Sequence, residues 1–79
     1  MSREEIFNIL STALCDIFDV TPDEIGEDTD LVEELFADEY DYTELSMIIE
    51  EEFGLTLKKL SSLNTVGEIT DEIADKIED

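Results

Sequence analysis

An all-α domain is predicted: a four-helix bundle of three main helices and one short helix, with a long first loop. Three observations predict it. Apolar residues recur at three- and four-residue spacing in three separate segments, the mark of one buried helix face. Those segments open on helix-start signals. No stretch alternates apolar and polar residues as a half-buried strand does, and no internal repeat or low-complexity run is present. At 79 residues, 42% of them hydrophobic, the chain is expected to form a single domain over residues 1–79 with a thin core.

The elements follow in order. Ser2 and Glu5 make an S-x-x-E capping box, and behind it Ile6, Leu10, Ala13, Leu14 and Ile17 form one apolar stripe. A helix over Arg3–Phe18 is predicted. A long connection over Asp19–Asp38 comes next, and a loop of this length in a small domain is often functional. Within it, Thr21, Pro22 and Glu24 specify a single helical turn, with Pro22 at the first helical position. Ile25, Leu31, Val32, Leu35 and Phe36 are expected to pin this loop to the core. The second helix begins after the N-cap Asp38 and runs to Glu52 or Phe53, where Gly54 stops it. "LTLKKLSSLNT" supplies Leu55, Leu57, Leu60 and Leu63 and one short helical segment. Thr65 and Glu68 form a last box, followed by the stripe Val66, Ile69, Ile73 and Ile77.

Charge narrows the function. There are 24 acidic residues against 4 basic ones, a net charge of −20, and no basic residue stands between Arg3 and Lys58. Such a chain repels nucleic acid and anionic membranes, and its own charges oppose compaction until salt screens them. A protein with a basic surface is a fitting partner, because complementary fields steer association. Acidity that serves only solubility is the plainer alternative. One cysteine, Cys15, allows no internal disulfide, no apolar run reaches membrane-spanning length, and "MSREEIF" lacks a secretory pattern. A cytoplasmic monomer is expected.

Stepping about 100° per residue along the second helix gathers Tyr42, Leu45, Ile48, Ile49 and Phe53 on the core side. Thr43, Met47 and Glu50 fall opposite, with Glu44 and Glu51 beside them and Glu39 on the flank. A methionine amid carboxylates suits a docking surface, although a stray surface methionine also explains it. Glu39 in the first turn is also good helix chemistry, since a carboxylate there meets unpaired N–H groups.

"LFADEYD" at residues 35–41, "TELSMIIEEEF" at 43–53 and the closing Thr65, Val66, Ile69 and Ile73 together resemble the acyl carrier protein family across nearly the whole chain. The resemblance implies an acyl-carrier-protein-like bundle. It implies a non-catalytic role in fatty-acid or polyketide-type acyl metabolism, with basic-surfaced enzymes as partners. Asp38, Asp41, Glu44, Met47, Glu50 and Glu51 then correspond to the family's enzyme-docking residues. The family's serine, which carries 4'-phosphopantetheine, corresponds to Glu39; its flanking glycine and leucine correspond to Phe36 and Tyr40. No arm is expected on this chain. The family's acyl pocket between helices would have Phe36 and Tyr40 at its mouth.

Ser11, Ser46, Ser61 and Ser62 lack the aspartate-before-helix setting, and Cys15 lies next to the core stripe. With no histidine, neither a Ser/His nor a Cys/His pair is possible, so catalysis is not expected. Three readings stay open. One is an armless carrier-like docking domain. Another is a conventional carrier of acyl thioesters whose serine has been replaced. The last is an acidic nucleic-acid mimic or cation binder, although "EDTD" at residues 27–30 lacks the glycine and closing glutamate of a calcium loop.

Overall fold

The computed structural model describes residues 1–77. Helix α1 spans Arg3–Phe18, α2 spans Glu39–Phe53 and α3 spans Val66–Ile77. Single 3₁₀ turns lie at Pro22–Glu24 and Leu60–Ser62, so the expected short fourth helix is one tight turn.

Each helix starts where a side chain satisfies its free N–H groups. At α1, the Glu5 N–H donates to Ser2 Oγ (3.2 Å) and the Ser2 N–H to Glu5 Oε1 (3.0 Å). At α3, the Glu68 N–H donates to Thr65 Oγ1 (3.2 Å), and Glu68 Oε1 accepts from the N–H groups of Thr65 and Asn64. Helix α2 ends at Gly54 with φ 68°, a conformation glycine adopts without steric penalty.

Ile6, Leu10 and Leu14 of α1 meet Val66, Ile69 and Ile73 of α3 in one buried cluster. Leu45 and Ile49 of α2, Ile25 and Leu31 of the first loop, and Leu57 and Leu60 complete it. Each such side chain contributes about 1.5–3 kcal/mol relative to exposure.

The first loop is held by backbone and by charge. Asp30 and Thr65 form an isolated antiparallel bridge. Beside it, the Leu31 N–H donates to the Asn64 carbonyl (2.8 Å) and the Val66 N–H to the Thr29 carbonyl (3.1 Å). The Gly67 N–H donates to the Glu27 carbonyl (2.9 Å). Arg3 clamps the same junction: Nη1 and Nη2 donate to the two Glu27 carboxylate oxygens (2.7 Å each) and Nε to Asp71 Oδ1 (2.6 Å). These charge-assisted bonds hold the Glu27 carboxyl below its ordinary pKa.

Two expected loop anchors are corrected. Val32 is 47% exposed and Phe36 is 81% exposed, so neither pins the loop. The Asp30 carboxylate accepts the N–H groups of Val32 and Glu33 (2.9 Å each) and sets a turn there. Leu31 is buried and Leu35 packs against the core, while Val32 and Phe36 face outward. Phe36 sits at φ 58°, the left-handed region.

Candidate functional site

Asp38 precedes α2 in extended geometry. Its Oδ1 accepts the Asp41 N–H (3.0 Å), while Asp41 Oδ2 accepts the Asp38 N–H (3.1 Å). Aspartate thus takes both places of a capping box, a role for Asp41 that sequence reasoning missed because the usual partner is Glu or Gln. Glu39 is then the first helical residue, exposed, and its carbonyl accepts from Thr43 Oγ1 one turn on (2.9 Å).

Along α2, Leu45 and Ile49 are buried, and Tyr42, Ile48 and Phe53 are half-buried, the inward face that periodicity predicts. Met47 is 60% exposed and lies among exposed Glu50 and Glu51, with Glu44 half-buried. Asp38 and Asp41 share this surface, but both side chains are engaged in the cap. Tyr42 reaches across to donate to the Leu63 carbonyl (3.2 Å), and burial, then nearby Asp30, pushes its phenol above the ordinary pKa.

A cleft of about 610 Å³ lies between α2 and the segment around Leu57–Ser61. Glu39, Thr43, Ser46, Met47, Leu60 and Lys58 are among its walls. Phe36 and Tyr40 do not line it, contrary to their expected place at its mouth. They stand out into solvent, Tyr40 at 75% exposure.

Other nucleophiles offer little. Cys15 is half-buried against the core, and desolvation, then Asp16 and Glu24, raises its thiol pKa. Ser62 Oγ donates to the Lys59 carbonyl (2.7 Å), and Ser11 is buried in α1. In the acidic run 27–30, Glu27 is committed to Arg3 and Asp30 to backbone N–H groups. No cluster of three potential metal ligands occurs among the described residues. Nor is any described helix long and apolar enough to cross a membrane.

A compact trio of helices with an acidic, capped second helix and a cleft beside it defines a small carrier-type domain. Residues 8–73 match the family described as "Phosphopantetheine attachment site". An acyl carrier protein of Lactobacillus acidophilus is 37% identical over 70 residues, covering 86% of this chain and 88% of that protein. One from Thermotoga maritima is 33% identical over 78 residues, covering 96% of each. One from Lactobacillus johnsonii is 35% identical over 75 residues. The chain belongs to the acyl carrier protein family, whose members are carriers and not catalysts.

The group named by the family was tested against the residues at the start of α2. A phosphodiester link needs a hydroxyl, and residue 39 offers a carboxylate. A phosphate on that carboxylate would be a hydrolysable acyl phosphate. Thr43 directs its hydroxyl back to the helix. Residue 39 does not fit such an attachment.

Proposed function

We propose that residues 1–79 act as one carrier-like docking domain without a 4'-phosphopantetheine arm, because Glu39 stands where the family's serine would be. It binds basic-surfaced enzymes of acyl metabolism through Asp38, Asp41, Glu44, Met47, Glu50 and Glu51, working as a scaffold, regulator or decoy in the cytoplasm. The observation that carries this reading is Glu39 itself: an exposed carboxylate at the first position of a normally capped helix. The cap geometry and the acidic outer face of α2 support retained docking. Intact mass after incubation with coenzyme A and a broad-specificity phosphopantetheinyl transferase tests it. The parent is expected to gain nothing, and Glu39→Ser to gain the arm. A mass gain by the parent would sink the proposal.

A second reading, a conventional carrier in which serine has been exchanged for Glu39, draws on the same intact cap and the family match. A native gene encoding serine at position 39 would establish it.

A further inference from the structure

We propose that Phe36 and Tyr40 form an aromatic anchor beside the α2 carboxylates, fitted to a protein surface that presents aliphatic side chains between arginines. The inference rests on the reading of α2 as a docking face and deepens it by naming what the face binds.

Among the described residues, the most exposed large hydrophobic side chains are Phe36 and Tyr40. They bracket Glu39 in the chain, three residues before it and one after. Tyr40, Glu44, Met47 and Glu51 recur at helical spacing and share one stripe of α2, so apolar and anionic groups alternate along it. Phe36 holds left-handed backbone that glycine would adopt without penalty, yet its ring is buried against nothing. In the free protein the aromatic at that position brings no packing. Its use lies in a contact made with something else.

Charge selects the occupant. At −20, the chain repels nucleic acid, anionic lipid and a second copy of itself. Arginine meets both halves of the surface, because its guanidinium pairs with carboxylates and stacks on aromatic faces. Aliphatic side chains between the arginines would cover Met47 and the rings.

The probe is a synthetic helical peptide carrying arginines along one face and leucines beside them, titrated at about 0.15 M salt against the parent, Phe36→Gly, Tyr40→Gln and the double variant. None of these changes alters the charge. The double variant is expected to bind at least about tenfold more weakly. Phe36→Gly should melt no lower than the parent, which separates lost binding from lost folding. A peptide with its leucines replaced by serine should weaken in step. Equal binding by parent and double variant would overturn the anchor and leave the docking face standing as charge alone. No binding by the parent would overturn both. Concentration-dependent dimers of the parent that vanish in the double variant would reassign the patch to a second copy and likewise overturn the proposal.

Discussion

Gly67 and Phe36 are opposite errors waiting to be made by substitution. A Cβ on Gly67 would lie 2.7 Å from Glu27 Oε1 and 2.9 Å from the Glu27 carbonyl oxygen. The side chain can swing away; the carbonyl, bonded to the Gly67 N–H, cannot. Gly67→Ala is expected to destabilise by about 1–3 kcal/mol, read as a lower urea midpoint. Phe36→Gly removes a left-handed non-glycine residue, a strain of about 1–2 kcal/mol partly offset by the greater freedom of an unfolded glycine. The melting temperature should rise by several degrees. Neither effect was legible in the sequence. Gly67 opens a predicted helix, where its chain neighbours give no sign that Glu27 packs on it. Phe36 follows Leu35 in an apolar run and was expected inward; only the turn at Asp30 sends it out.

At the level of elements, what is local was legible and what joins distant segments was not. The boxes at Ser2, Thr21 and Thr65 and the stop at Gly54 are written within a few residues, so all three helices begin and end where predicted. The outer face of α2 followed from periodicity alone. The bridge between Asp30 and Thr65 and the Arg3 clamp join residues far apart in the chain and leave no pattern. Acid should weaken the local devices in a defined direction. Glu5 and Glu68 accept cap N–H bonds, and Glu27 is held by Arg3; all three pKa values lie below the ordinary glutamate value of 4.5. Their stabilisation is therefore complete above that value and lost as pH falls through their lower folded values. Glu68→Gln should flatten part of that acid dependence in melts followed by circular dichroism. Tyr42→Phe removes the tie from α2 to the Leu63 carbonyl, with an expected loss of about 0.5–1.5 kcal/mol by urea titration.

The molecule measures 32 × 24 × 19 Å and carries a net charge of −20. At about 0.01 M salt the screening length is about 30 Å, so every carboxylate feels the others across the whole body; at about 1 M it falls to about 3 Å. Melting temperature should climb with sodium chloride, even though salt also weakens the Arg3 pairs, since like charges far outnumber those pairs. A flat or falling curve would show that the Arg3 junction matters more than the repulsion. The three helices do not share the body equally. Helices α1 and α3 each bury five residues, whereas α2 buries only Leu45 and Ile49. The first loop is hydrogen-bonded to the start of α3. Hydrogen exchange should therefore divide the protein into two cooperative units. The amides of Leu31, Val66 and Gly67 should exchange with the slow α1–α3 unit, and those of α2 faster, through a subglobal opening. The surface offered for recognition would then ride on the part of the protein that is easiest to lift.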